Sequence, residues 1–210
     1  ASPLRDVYKR QDEDIARQLA CIVRYQPQIS NTGLTIVTGS LVNRNPVDNQ
    51  IIVDSYIEWL GLKLTKETIK KFISNYALTL IKPLIAYIQD YGVALEAHMQ
   101  NTIVNLNHDF KMKFMIRDLG GSRIDLNTLK AQLPNINVTN KSLIAENIEA
   151  VIVKFQHAVI QNQISELIHH FTQYDGIEAD ELFDLVREAV EQSIDSKKAH
   201  SHILRQTLFC

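Results

Sequence analysis

The sequence predicts an α+β fold that is predominantly α-helical, with a small antiparallel β-hairpin at about residues 92–118 packed by helices. Apolar residues recur at helical spacing through most of the chain. Strand-like alternation is clearest after Gly92, where two runs are joined by a short turn at residues 107–109. The chain has 210 residues, 45% of them hydrophobic, which is enough for a sizeable core.

The first elements precede a long helix. Acidic residues at 12–14 favour a helix N-terminus, and Pro27 ends that predicted helix. The β-branched run 33–41 predicts a strand. A turn-rich loop at 43–49 and a short helix at 53–60 are expected to follow it.

The long helix is the strongest helical signal in the chain. Thr65 is expected to cap it, and Gly92 is expected to end it. Pro83 lies inside the pattern and is expected to kink the helix. Its apolar stripe consists of Ile69, Phe72, Ile73, Tyr76, Leu80, Leu84 and Tyr87.

Everything after the loop at 119–122 is predicted to be helical in character. The expected elements are a short helix at 126–133, a loop at 134–139, a helix from Asn140 or Ser142 to Phe171, a turn at 174–176, a helix at 179–194 and a last helix opening at Ser196.

Composition excludes several classes of protein. The formal net charge of -2 lacks the basic excess of a nucleic-acid-binding protein. The two cysteines, Cys21 and Cys210, lie at opposite ends without a metal-binding spacing, so a disulfide framework is not expected. No apolar run reaches the roughly 18–20 residues that span a bilayer. These features predict a cytoplasmic protein without membrane or nucleic-acid partners.

The predicted hairpin carries the polar residues of greatest chemical interest. Side chains alternate faces along a strand, so Glu96, His98 and Gln100 are expected to share one face while the opposite face is apolar. With a three-residue loop, the register places Asp118 opposite His98, and a one-residue slip would move Asp118 to the other face. Arg117 is adjacent to this cluster.

The residue types in this cluster suit anionic ligands. Glu96 and Asp118 are hard oxygen donors of the kind that Mg²⁺ shares with phosphates. His98 can donate a hydrogen bond to an anionic oxygen or relay a proton. Gln100 and Asn101 can recognise a hydroxyl group or an adenine edge. A polar strand face is also often only solvated, so a non-catalytic helical interaction domain and a metal-dependent hydrolase stay open as alternatives.

The motif LEAHMQN at residues 95–101, followed by RDLGG at 117–121, closely resembles the NRPS-independent siderophore synthetases, the aerobactin-synthetase-like family. That family carries a Glu-Ala-His-x-Gln-Asn strand and, about twenty residues later, an Arg-Asp pair followed by small residues. Asn162 is similar to an Asn that precedes a His in many members, although Gln163 stands in place of that His. The resemblance extends over roughly residues 15–209.

The resemblance implies an acid–amine ligase that uses ATP and Mg²⁺. Such enzymes activate a carboxylate, commonly of citrate or a citrate derivative, as an acyl-adenylate, and an amine or hydroxyl group then displaces AMP. By position, His98 and Asp118 would be catalytic, and Glu96 and Asp118 would be associated with the metal. The ATP- and substrate-binding residues would be Glu96, Gln100, Asn101, Arg117 and Asn162. A homodimer is an expectation carried by the resemblance alone.

The resemblance also predicts the domain organisation. Residues 11–210 would form most of the palm-like C-terminal domain, while residues 1–10, which show no clear period, would be a ragged or non-native end. The phosphate-binding N-terminal half of the family has no counterpart in this chain. The 210 residues are therefore expected to be a fragment that is inactive alone.

Overall fold

A computed structural model describes residues 5–6, 22–23 and 33–209 of the chain. The chain divides into two compact units, residues 1–32 and residues 33–210. In the first unit, Arg5–Asp6 (β1) pairs antiparallel with Ile22–Val23 (β2). The helix predicted from residue 12 to Pro27 lies outside the described residues except at β2, where the structure has a strand instead.

The second unit has the predicted fold class, with helices around small antiparallel sheets. Its helices are α1 (Ile52–Trp59), α2 (Lys66–Tyr91), α3 (Leu126–Gln132), α4 (Ile148–Phe155), α5 (Ser165–Phe171), α6 (Ala179–Ser193) and α7 (Ser201–Phe209). Its strands are β3 (Leu34–Val37), β4 (Val93–Ala94), β5 (Thr102–Leu106), β6 (Met112–Ile116) and β7 (Arg123–Ile124). A π-helical segment, Gln156–Ile164, joins α4 to α5.

Helix α2 has the predicted ends. The Thr65 hydroxyl accepts a hydrogen bond from the backbone N–H of Thr68, and Gly92 ends the helix with a left-handed φ of 65°. The predicted stripe is buried up to Leu84, but Tyr87 is 42% exposed and lies off it. Pro83 lies inside the helix, and the kink expected there stays a prediction.

The hairpin is present, but its register differs from the predicted one. Strand β5 pairs with β6 so that Leu106 lies opposite Met112, not Phe110, and the loop contains five residues. Phe110 is 4% exposed and contacts the rings of Tyr56 and Phe72 edge-on, at centroid distances of 6.3 and 6.1 Å. Phe110 also has a left-handed φ of 54°, which a strand does not accommodate, so Phe110 does not begin the second strand. Strand β3 completes the sheet on the other side of β5.

The long first strand predicted from Gly92 to Leu106 is wrong. Only β4 and β5 are strands, and residues 95–101 between them are irregular. Strand β4 pairs with β7, which the sequence interpretation missed. The alternation of Glu96, His98 and Gln100 therefore does not arise from a strand.

The predicted helices at 126–133 and 179–194 are confirmed as α3 and α6, whereas two other helices begin later than predicted. Helix α4 begins at Ile148, where the side chain of Asn147 caps it, and Asn140 instead caps a short 3₁₀ turn. Helix α7 begins at Ser201 because the side-chain amide of Gln89 binds the preceding turn. The Nε2 of Gln89 donates to the carbonyls of Asp195 and Ala199, at 2.9 and 3.3 Å.

Among the residues that the structure describes, no helix has both the length and the apolar character needed to cross a membrane.

Gly92 and Gly61 allow a test of the end of α2. Both have left-handed φ, but an added Cβ would lie 2.7 Å from the Thr128 Cβ at Gly92 and would meet nothing within 4 Å at Gly61. Gly92→Ala is expected to lower the free energy of unfolding by about 2–4 kcal/mol because it adds a clash to the strain. Gly61→Ala should cost only about 1–2 kcal/mol. Urea unfolding of both variants measures the difference, and equal losses would contradict the packing at Gly92.

Candidate active site

The centre of the candidate site is the irregular segment 95–101, which other elements hold through the peptide groups of Met99. The Met99 carbonyl accepts hydrogen bonds from the Gly39 N–H and the Thr38 hydroxyl, both at 3.0 Å. The Met99 N–H donates to Oδ1 of Asn162 at 3.3 Å. Because these bonds satisfy both backbone groups of Met99, they replace the strand ladder that the sequence pattern predicted.

His98 is held in one tautomer. Its Nδ1 lies 3.2 Å from the backbone N–H of Gln100, which can only donate. Nδ1 must therefore be unprotonated, and the neutral ring carries its hydrogen on Nε2. The His98 carbonyl accepts from the Asn101 N–H and the Thr102 hydroxyl, each at 3.0 Å. His98 thus presents an N–H donor from a fixed backbone.

Glu96 forms an ion pair that the sequence interpretation did not foresee. Lys154 of α4 donates to Oε1 of Glu96 at 2.6 Å, and the side chains of Lys154 and Glu96 are only 19% and 23% exposed. The same carboxylate lies against Gly121, where an added Cβ would be 1.7 Å from Oε2. Glu96 therefore joins segment 95–101 both to α4 and to the loop at 118–122.

Hydrogen bonds made by the side chains of Asp118 and Arg123 hold the loop at 118–122. The Asp118 Oδ1 accepts from the Gly120 N–H at 2.9 Å, and the Arg123 guanidinium donates to the Ser122 carbonyl at 3.0 Å. Ser122 is 4% exposed, and its hydroxyl has no hydrogen-bond partner within residues 33–209. The Asp118 carboxylate thus orders its own loop and stays exposed.

The structure brings together part of the predicted set. Glu96 meets the Gly121 loop, Asn162 meets Met99, and the Arg117 N–H donates to the Asn101 carbonyl at 2.9 Å. Arg117, Gln100 and Asp118 are exposed beside this framework. Within residues 33–209, no hydrogen bond joins the side chains of His98 and Asp118. The predicted register that placed them opposite each other is wrong, because β5 and β6 pair Thr102 with Ile116 and end there. The catalytic roles of His98 and Asp118 stay predictions.

The geometry does not favour a Mg²⁺ site at Glu96. Lys154 already neutralises that carboxylate, and a cation would have to displace it. Within residues 33–209, no three His, Cys, Asp or Glu side chains are grouped closely enough to hold a metal ion. The residues as they stand do not fit the metal, and the Glu96 and Asp118 site stays a prediction.

Sequence reasoning missed two residues that shape the site. Lys154 stands alone as a cation in the apolar helix α4, and that isolation was the only available signal. Thr38 follows β3 in a short 3₁₀ turn and carries no local sign of its bond to Met99.

Comparison with known proteins identifies the family. The sequence profile described as "Ferric iron reductase FhuF-like transporter" matches residues 70–210. Staphyloferrin A synthase of Staphylococcus aureus (strain NCTC 8325 / PS 47) is 57% identical over 202 residues, which are 96% of this chain and 34% of that protein. D-ornithine–citrate ligase of the same strain is 29% identical over 180 residues, which are 77% of this chain and 27% of that protein.

The chain is an FhuF-like domain of the NRPS-independent siderophore synthetase family. The fold agrees with this assignment, since the petrobactin biosynthesis protein AsbB from Bacillus anthracis str. Sterne aligns with a TM-score of 0.73 at 17% identity. That alignment covers 98% of this chain and 35% of AsbB. The ATP-bound aerobactin synthetase IucA from Klebsiella pneumoniae aligns with a TM-score of 0.68 at 21% identity, over 82% of this chain and 31% of IucA. The chain thus spans about a third of the length of these relatives.

Gly121→Ala tests the contact between the loop and Glu96. The new Cβ must displace the Glu96 carboxylate from Lys154, so we expect a loss of about 1–2 kcal/mol in the free energy of unfolding. In a Glu96→Ala background the same change should cost less than about 0.5 kcal/mol. A double-mutant cycle by urea unfolding measures this coupling. Gly120→Ala is the control, because its Cβ would approach Asp118 only to 3.3 Å. Equal costs of Gly121→Ala in both backgrounds would refute the contact.

Proposed function

We propose that this chain is the C-terminal part of an ATP-dependent ligase of siderophore biosynthesis. The observation that carries the proposal is the 57% identity to staphyloferrin A synthase along 96% of the chain. The geometry supports it, because Glu96, Asn162 and the Gly121 loop surround the segment that carries His98. D-ornithine–citrate ligase and the spermidine–citrate ligase of Bacillus anthracis are further relatives, and their names favour citrate as the acid.

The proposed reaction has two steps. A carboxylate oxygen of citrate or a citrate derivative attacks the α-phosphorus of ATP, which releases pyrophosphate and leaves an acyl-adenylate. An amine or hydroxyl group then attacks the acyl carbon, AMP leaves, and the nucleophile gives up its proton. An amide or ester results.

The described residues suit this chemistry by binding and orientation. The Nε2–H of His98 would donate to an oxygen of the reacting carboxylate or of the α-phosphate as negative charge develops there. Arg117, Gln100, Asn101 and the Gly121 loop would line the nucleotide or substrate pocket. Orientation and charge neutralisation are the main demands of adenylation, so no covalent nucleophile is needed.

No step of this proposal passes through Mg²⁺, because Lys154 supplies the positive charge next to Glu96. The same ion pair weighs against a metal-dependent hydrolase at Glu96, His98 and Asp118. A non-catalytic interaction domain is the alternative. The homodimer and the cytoplasmic location stay predictions.

The 210-residue chain alone is expected to show no exchange of pyrophosphate into ATP, whereas the full-length synthetase with citrate should show it. The reason is that the chain spans only about a third of the length of its relatives. Radiolabelled pyrophosphate measures the exchange. Exchange by the isolated chain at the full-length rate would reject the fragment prediction.

His98→Ala in the full-length enzyme is expected to lower kcat/KM for citrate at least about 100-fold, because it removes a donor to the developing negative charge. Asp118→Ala is expected to lower it similarly, because Asp118 orders the loop that contacts Glu96. His202→Ala and Asp175→Ala are matched controls at exposed positions and should keep the wild-type rate. Circular dichroism checks that the fold is intact. Wild-type rates in both site variants would favour the interaction-domain alternative.

A further inference from the structure

A row of buried polar side chains leads from the π-helical segment to the centre of the site. Gln163 donates from Nε2 to the Tyr76 hydroxyl at 2.8 Å. That hydroxyl lies beside the side chain of Thr38, whose own hydroxyl donates to the Met99 carbonyl at 3.0 Å. The side chains of Gln163, Tyr76 and Thr38 are each 0% exposed. The three therefore form a relay, defined here as Gln163, Tyr76 and Thr38, that crosses the core and ends on Met99.

A defined hydrogen bond lies at each end of the relay. The Tyr76 hydroxyl accepts from Gln163, and the single hydrogen of the Thr38 hydroxyl goes to the Met99 carbonyl. Burial raises the pKa of Tyr76, which keeps this phenol protonated and able to donate. Buried polar side chains packed together in this way favour a single arrangement.

The residue next to the relay holds the other side of the same backbone. Asn162 precedes Gln163 in the π-helical segment and accepts the Met99 N–H. Two consecutive residues thus reach Met99 from opposite sides, one directly and one through the core. Met99 lies between His98 and Gln100, and the Gln100 N–H fixes the tautomer of His98. A shift of Met99 would therefore move the donor that His98 presents.

We propose that Asn162 and the relay of Gln163, Tyr76 and Thr38 are positioning residues that fix the Met99 backbone and thereby orient His98 for the reaction. The inference rests on the proposed function for the role of His98. It gives Asn162 a different task from lining the nucleotide pocket, since its Oδ1 is engaged with the protein.

Stability alone is a poor reason for this network. Three fully buried polar side chains lose their hydration, and Oε1 of Gln163 has no hydrogen-bond partner within residues 33–209. Apolar side chains of the same shape would fill the space with nearly neutral effect on folding. What the polar relay adds is a fixed position for one backbone carbonyl.

The first test separates positioning from ligand binding at Asn162. In the 210-residue chain, Asn162→Ala should raise hydrogen exchange of the Met99 amide at least tenfold. In the full-length enzyme, the same change should lower kcat about 10- to 100-fold while the KM values for ATP and citrate stay within about threefold. Asn162→Asp keeps an oxygen acceptor and should recover most of both losses. Gln161→Ala, at the exposed preceding position, is the control.

The second test separates positioning from a structural role of the relay. Tyr76→Phe should lower kcat about tenfold and shift the urea midpoint downward, because it leaves the buried amide of Gln163 without its partner. Adding Gln163→Met removes the stranded amide, so the midpoint should return toward wild type while kcat stays low. Recovery of kcat together with stability would overturn the inference.

Two further outcomes bear on whether Asn162 fixes the Met99 backbone. Unchanged exchange at Met99 in Asn162→Ala would overturn the inference, as would a raised KM for ATP with unchanged kcat. If the full-length protein has no ligase activity, the proposed function fails, whereas the exchange measurement still decides whether Asn162 fixes Met99.

Discussion

The burial of helix α2 is the constraint on which the second unit depends. Eleven of its 26 residues are buried, and nine of these are apolar. Burying each large apolar side chain stabilises the fold by roughly 1.5–3 kcal/mol, which exceeds the net contribution of a typical hydrogen bond. The stripe therefore decides where the helix lies, and polar contacts adjust to it. Tyr76 and Gln89, the two buried residues of α2 that donate or accept through side-chain polar groups, link it to the candidate site and to the turn before α7.

Elements with strong local signals could be predicted from the sequence. The apolar stripe, the Thr65 cap and the Gly92 end define α2 without reference to the rest of the chain. The hairpin also followed from local pattern, but its register did not, because aromatic contacts with α1 and α2 decide where Phe110 lies. The strand predicted over residues 95–101 is also absent because of contacts with distant residues. Its alternation suits a strand, yet hydrogen bonds from Gly39, Thr38 and Asn162 hold it in another conformation.

The candidate site shows the same division between local and distant information. Glu96, His98 and Asp118 were predicted from a short motif in which the residue types themselves are informative. Lys154 and Thr38 lie 58 and 61 residues from their partners, Glu96 and Met99, and nothing in their own surroundings points to those partners. Residues that position a site from within the core are hard to recognise in a single sequence. A buried threonine or tyrosine with such a role has the same sequence pattern as one that only packs in the core.

The orientation of Asn162 and Gln163 depends on the number of residues in the π-helical segment. A helix with i→i+5 hydrogen bonds holds an additional residue compared with an α-helix over the same span. Deleting any one residue of Gln156–Ile164 would let the segment relax to α geometry and rotate the residues on one side of it by about 100° relative to the other. Asn162 and Gln163 would then face away from Met99 and Tyr76, although every side chain near the site were still present. Across related sequences, insertions and deletions should therefore be rarer in this segment than substitutions at its exposed positions.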